Sequence, residues 1–199
     1  MNYKQYRRHL DLLMEEDRTT GRNQEEWRVD YARLNISRMQ QLEDQWQPAE
    51  KIEDRLLHIE TPLTWLTFTE GWSGEAAHIV PVIDKLASIN PLIEHRLIVP
   101  EEEPEKAAAF LNPEHRAIPT TVFIDTETKT VWGQWGPRPL AAEKLIDKLE
   151  TKYRYPREVI SSYLHNWYQK DKGAQTASEF VSCLEKAIVR QKAGTPAGS

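Results

Sequence analysis

Thr69-Glu70-Gly71-Trp72-Ser73-Gly74-Glu75-Ala76 lies where an apolar strand runs into a helix. The strand is Leu63-Thr64-Trp65-Leu66-Thr67-Phe68-Thr69, a short β-branched and aromatic run with Pro62 ahead and Gly71 behind. On the far side, Ile79, Val82, Ile83 and Leu86 recur at helical spacing, so a helix is predicted to begin near Ser73 or Gly74 and to turn this face toward a sheet. Pro81 falls inside that helix, removes a backbone donor and predicts a kink.

Working outward toward the C-terminus, Ile93 to Val99 reads as a second strand. Pro104 can open a helix at its first turn, continued by Ala107 to Leu111. Ile118 to Asp125 is a third strand, entered through Pro119, and Thr130 to Trp135 is its hairpin partner across a turn at Thr126 to Thr128. After the loop Gly136-Pro137-Arg138-Pro139, a helix over Leu140 to Lys152 directs Leu145, Ile146 and Leu149 inward. The resulting order is β-α-β-α-β-β-α. Two parallel strands joined by a crossover helix, closed by a hairpin, give a small mixed sheet and an α/β fold.

Helices flank this block on both sides. Tyr3, Tyr6, Leu10 and Leu13 fall on one face of a first helix. A second, from about Gln24 to Gln45, presents Trp27, Tyr31, Leu34, Met39, Leu42 and Trp46 as its apolar stripe, and a third covers roughly Ala49 to Ile59. Two more, Arg157 to Gln169 and about Thr176 to Gln191, follow the block. The expected organisation is an N-terminal helical extension over 1–60, the α/β core over 61–152, C-terminal helices packed on it over 153–192, and a frayed small-residue tail over 193–199.

The totals narrow the function classes. The chain has 199 residues, a formal net charge of −5 and one cysteine, Cys183, which excludes an intramolecular disulfide. An acidic balance without a basic face argues against nucleic acid as a partner. No segment reaches the ~20 apolar residues of a membrane span, and Met1 to Leu13 lacks a signal-peptide run, so a cytoplasmic location is the expectation. The six histidines lack metal-ligand spacing, Glu101-Glu102-Glu103 reads as a solvated helix lead-in, and there is no Gly-rich phosphate loop. No metal or cofactor is expected. Cys183 shares a helical side with Phe180, Leu184 and Ala187, which reads as a buried, inert thiol.

Three stretches carry a family resemblance: Thr69-Glu70-Gly71-Trp72-Ser73-Gly74-Glu75-Ala76, Trp135-Gly136-Pro137-Arg138-Pro139 and Trp167-Tyr168-Gln169-Lys170-Asp171-Lys172. Together with the element order over about Leu63 to Lys152, they resemble the thioredoxin family, and in particular a bacterial branch that reads Thr-Glu-x-Trp-Cys-Gly-Asp-Ala at the turn. The resemblance implies a thioredoxin-like fold, an active-site turn at Trp72-Ser73-Gly74-Glu75 and a cis-proline loop at Ile118-Pro119-Thr120. It also implies a groove for an extended peptide, held by main-chain pairing, with Trp72, Ser73, Glu75, Ile118, Pro119, Trp135 and Arg138 around it. The chain departs from the family at the centre. Ser73 stands where the branch has its single cysteine, and Ala76 stands at the second cysteine position of thioredoxin.

Elementary chemistry limits what Ser73 can do. A helix N-terminus favours an anion by at most ~2 kcal/mol, about 1.5 pH units, enough to tune a thiol and far too little to ionise an alcohol. A serine nucleophile therefore needs a general base within hydrogen-bond reach. His78 is rotated roughly 140° from Ser73 on an ideal helix and points elsewhere, His115 can approach only from the facing loop, and Glu75 is a weak base at a helix start. The straightforward role of Ser73 is a helix N-cap. Two functional readings follow. One is a thioredoxin-like protein without active-site cysteines, redox-inactive, that binds a peptide or protein partner. The alternative is a single-cysteine thiol–disulfide redox enzyme whose nucleophile is here replaced by Ser73.

Overall fold

A computed structural model describes residues 1–111 and 117–194. His115 and residues 195–199 of the expected tail lie outside the described residues. The N-terminal helices are α1 (Tyr3–Glu15), α2 (Glu26–Gln45) and α3 (Glu50–Leu57). The central block follows as β1 (Leu63–Phe68), α4 (Gly74–Ala87), β2 (Ile93–Ile98), α5 (Pro104–Ala108), β3 (Thr120–Asp125), β4 (Val131–Trp135) and α6 (Leu140–Thr151). The chain closes with α7 (Arg157–Asp171) and α8 (Ala174–Lys192).

The four strands form one mixed sheet in the order β2-β1-β3-β4. β1 and β2 run parallel, joined by the α4 crossover, while β3 pairs antiparallel with both β1 and β4. The hairpin register shifts between Phe123 and Ile124, leaving Trp132 as an extra residue on β4, a bulge that lets this buried indole join the main apolar cluster. β3 is buried at every position, as a central strand covered on both faces must be. α4 is buried along most of its length and continues through Pro81 as one helix, Gly74–Ala87.

Packing around the sheet differs from the sequence expectation in two places. The first concerns the helix that covers the hairpin. Of the inward residues expected on α6, Leu149 is buried, whereas Leu145 and Ile146 are only partly so. The main apolar contact with the sheet comes from α8. Phe180 is fully buried, its ring 4.8 Å from Trp65, 5.3 Å from Phe123 and 5.5 Å from Trp135, each edge-on. Edge-to-face pairs of this kind add to the area each ring removes from water. Both helices are amphipathic, so periodicity alone could not say which one the chain path would carry to the sheet.

The second difference concerns α2. Its buried face is Val29, Ala32, Asn35 and Met39, while Trp27 and Leu34 are about half exposed at 49% and 54%. Small residues face α4 because the two helices run close together, and the larger aromatics turn aside toward the cleft described below. α1 completes this flank. Its stripe Tyr3, Tyr6, Leu10 and Leu13 is buried, and three of these residues share a cluster with Met39, Ala76, Ala77, Val80 and Leu97.

Phe180→Ala removes a ring at the junction of three others and leaves a cavity, so it should cost about 3–5 kcal/mol. Urea unfolding followed by tryptophan fluorescence checks this. A loss under 1 kcal/mol would mean that α8 does not complete the core.

Candidate functional site

The turn between β1 and α4 is fixed from several directions. Glu70 is buried beneath it. Its carboxylate accepts the Thr20 hydroxyl at 2.5 Å and the Glu101 N–H at 3.2 Å, and the Thr20 oxygen in turn accepts the Gly71 N–H at 2.8 Å. The Asn35 amide donates to the Gly71 carbonyl at 2.9 Å. Gly71 is closely packed, and a Cβ there would lie 2.7 Å from Leu10 Cδ2 and displace the end of that side chain. Trp72 packs edge-on to Trp27 at 6.3 Å, with the Arg28 guanidinium 4.2 Å from its ring centroid.

Ser73 then begins α4. Its oxygen accepts the Ala76 N–H at 3.3 Å, the N-cap contact, and the residue is buried. Its other described hydrogen bonds are backbone ones: the Ser73 N–H donates to the Glu70 carbonyl at 3.1 Å, and the Ser73 carbonyl accepts the Ala77 N–H at 3.3 Å. Glu75, in the first turn, is gripped by Arg138. Nε lies 3.0 and 2.8 Å from the two carboxylate oxygens and Nη2 lies 2.6 Å from one of them. The Tyr168 hydroxyl donates to the same carboxylate at 2.9 Å. The carboxylate bonded to Arg138 raises the guanidinium pKa, while burial pushes the Tyr168 hydroxyl well above its ordinary range. Each of the three motif stretches thus sends one side chain to a single partly buried junction.

The Ile118–Pro119 peptide bond is cis, as is Gly136–Pro137. The two loops touch: Gly136 has φ +127, and a Cβ there would fall 2.4 Å from the Pro119 carbonyl oxygen, so only glycine fits. Through this contact the loop bearing Arg138 is seated on the cis-proline loop.

A cleft of about 950 Å³ opens between α2, the start of α4, the cis-proline loop and α7. Trp72, Ser73, Glu75, Ile118 and Arg138 line it together. Trp135 sits elsewhere, buried edge-on to Phe180 and outside the cleft lining. Trp27 and Tyr31 form the α2 wall, and the Tyr31 hydroxyl lies 3.4 Å from Ser161 Oγ across the cleft on α7. His78 also lines the cleft, which runs along α4 far enough to include it. It is held by α7, with Nε2 2.8 Å from His165 Nδ1 and its ring stacked 4.8 Å from Tyr168. Burial, then the neighbouring His165, drives the His78 pKa down to about 3, and burial lowers that of His165. Both rings are neutral at neutral pH, and their shared hydrogen bond requires one donor and one acceptor.

Sequence reasoning did not place Trp27, Tyr31, Arg38 and His165 in this region, and it gave Glu70, within the quoted turn, no role of its own. Trp27 and Tyr31 fit a core stripe, and a lone charged or histidine residue on a helix carries no signal of its partners. Among the described residues, no group of three or more His, Cys, Asp or Glu side chains could hold a metal ion. No helix among them is long and apolar enough to cross a membrane. Glu101 instead pairs with Arg28 at 3.3 Å and Glu102 with His9 at 3.2 Å. Cys183 is half-buried on α8, 3.4 Å from the Gln134 carbonyl, and burial raises its pKa.

A thioredoxin family model matches residues 21–152, and the chain belongs to the thioredoxin family. Among solved structures, a protein of unknown function from Pseudomonas aeruginosa superposes with a TM-score of 0.51 at 20% identity, covering 79% of this chain and 86% of that one. An HIV epitope scaffold superposes equally well, with a TM-score of 0.51 at 21% identity and the same coverage. At this identity the likeness concerns the fold alone. No curated protein matches the sequence as a relative.

Burial holds the Glu70 carboxyl at about 7, above its ordinary 4.5, even though Thr20 and the Glu101 N–H stabilise the anion. The folded chain therefore binds this proton more tightly than the unfolded chain. The associated stability is complete below pH 4.5 and is lost as pH rises through about 7. Glu70→Gln keeps one acceptor and removes the charge. Its advantage over the parent in urea unfolding should be small at pH 4.5 and grow to at most about 3 kcal/mol at pH 8. An advantage that does not change with pH would show that Glu70 titrates normally.

Proposed function

We propose that this thioredoxin-family protein does not exchange disulfides at its turn and binds a peptide or protein segment in the cleft beside Trp72, Ser73 and Ile118. The observation that carries the reading is the state of the Ser73 oxygen. It is committed to the Ala76 N–H as a helix cap, with no described hydrogen bond to a histidine or carboxylate that could act as a base. Its partner position, Ala76, is fully buried. A mixed disulfide needs a thiolate, and this turn has no sulfur. What remains is shape: an aromatic wall at Trp27, Tyr31 and Trp72, and the main chain around Ile118 and the cis-proline, which suits an extended segment.

The alternative, a single-cysteine redox enzyme with its nucleophile replaced, is favoured by the care with which the turn is still built. Glu75, Arg138 and Tyr168 keep the first turn of α4 in place, and Ser73 occupies the N-terminal position at which a helix stabilises a thiolate.

Two measurements separate the readings. In insulin reduction with dithiothreitol, the full chain should give no rate above background, with or without Cys183→Ala; turnover that survives the alanine change would refute the binding reading. Selection of ten-residue peptides from a random library should yield binders that Trp72→Ala weakens by at least about tenfold. Binders indifferent to Trp72 would place recognition elsewhere. Separately, Ser73→Cys should give a thiol with a pKa at least one unit below ~8.5. An unshifted thiol would count against the redox alternative.

A further inference from the structure

A second cleft, of about 1000 Å³, lies on the other side of the His78–His165 pair, between the end of α2, α3 and the junction of α7 with α8. Its floor is apolar: Leu42, Trp46, Ile52 and Ala177. Three of these, Trp46, Ile52 and Ala177, are buried members of the main core cluster, so the floor is rigid. The charged residues on its walls are Arg38, Lys51 and Lys172 against the single carboxylate Asp171. That excess of cations stands out on a chain whose net charge is −5. Burial raises the Asp171 pKa, and its oxygens already accept the Gln175 N–H at 3.2 and 3.1 Å.

Arg38 is the informative group. It is half-buried between the two clefts and lines both. Among the described residues its hydrogen bond is to a neutral partner, Asn35 Oδ1, at 2.9 Å, and it forms no ion pair. Of the carboxylates that line the first cleft with it, Glu75 is taken by Arg138 and Tyr168, and neither Glu150 nor Glu158 forms an ion pair with Arg38. Burial lowers the Arg38 pKa, the sign of a cation that lacks its counter-charge. Partly buried guanidinium groups usually meet a carboxylate or phosphate through paired N–H bonds. The two histidines beside it are neutral and add hydrogen bonding without a competing charge.

We infer that this second cleft binds a carboxylate carried on an apolar body, with Arg38 holding the carboxylate and the Leu42–Trp46–Ile52–Ala177 floor holding the body. A free aliphatic or aromatic acid and the C-terminal residue of a peptide present the same chemistry. The apolar floor belongs to this cleft alone, Arg38 is shared with the cleft beside Ser73, and the inference does not depend on peptide binding there.

Calorimetric titration of the full chain tests the assignment with matched probes: 4-phenylbutyrate against 4-phenylbutanol, and Gly-Gly-Phe-Leu with a free against an amidated C-terminus. At least one carboxylate should bind about tenfold or more tighter than its uncharged counterpart. Arg38→Gln should erase that preference, and Arg38→Lys should keep part of it. Ala174→Trp, at an exposed position that lines this cleft and not the one beside Ser73, should block both members of a pair while leaving the fold intact. Preference for the free acid alone, or for the peptide alone, identifies the source. Equal binding of acid and alcohol, a preference that survives Arg38→Gln, or no binding by any probe overturns the inference.

Discussion

The Glu75 carboxylate is the contact on which the rest of this architecture depends. Arg138 bonds both of its oxygens and Tyr168 adds a third donor, so three distant parts of the chain meet at one partly buried anion. A carboxylate drawn from water needs compensation of this kind, because an unpaired buried charge costs several kcal/mol. Arg138 in turn is positioned by a loop whose Gly136 lies against the Pro119 carbonyl. The turn, the cis-proline loop and α7 are therefore not independently placed. Moving one leaves a charge or a carbonyl crowded or unpaired in the others.

This arrangement explains how the region retains its form without sulfur. In a thiol enzyme the field at the start of α4 would lower a thiol pKa. Here the Ala76 N–H is served by the Ser73 cap, and Glu75 places a negative charge in the first turn of the helix. α7 closes one side of the cleft through Tyr31 and Ser161, and its neutral histidine contact with α4 separates that cleft from the one floored by Trp46. The helical additions therefore give the thioredoxin core two walls and two concave surfaces that its own sheet and crossover helix do not supply.

The sequence carried some features of the site and not others, and the difference follows from range. Ser73 as a cap and the strand–turn–helix around it are local, set within a few residues. Ile118 and Arg138 entered through a family resemblance, and they do share the cleft with Trp72 and Ser73. Trp27 and Tyr31 were read as core because they repeat at helical spacing, yet periodicity only says that two residues share a face. The small residues Ala32 and Asn35 took the close approach to α4, and the aromatics were left for the cleft. Arg38 could not be singled out at all, because whether a charge is paired is a property of its surroundings.

By itself, the order of short apolar runs and periodic segments determined the strands, the crossover and the hairpin, since those depend on side-chain alternation and turn residues along a continuous stretch. It also determined that the given 199 residues hold a single cysteine, Cys183, and so no cysteine pair. Only the tertiary structure decided that α8 and not α6 makes the main apolar contact with the sheet, that Trp135 is buried away from the cleft, and that Glu70 lies beneath the turn with a raised pKa. Each of these rests on contacts between residues tens of positions apart, and the free energies involved, ring packing and desolvation of a charge, exist only once those residues meet.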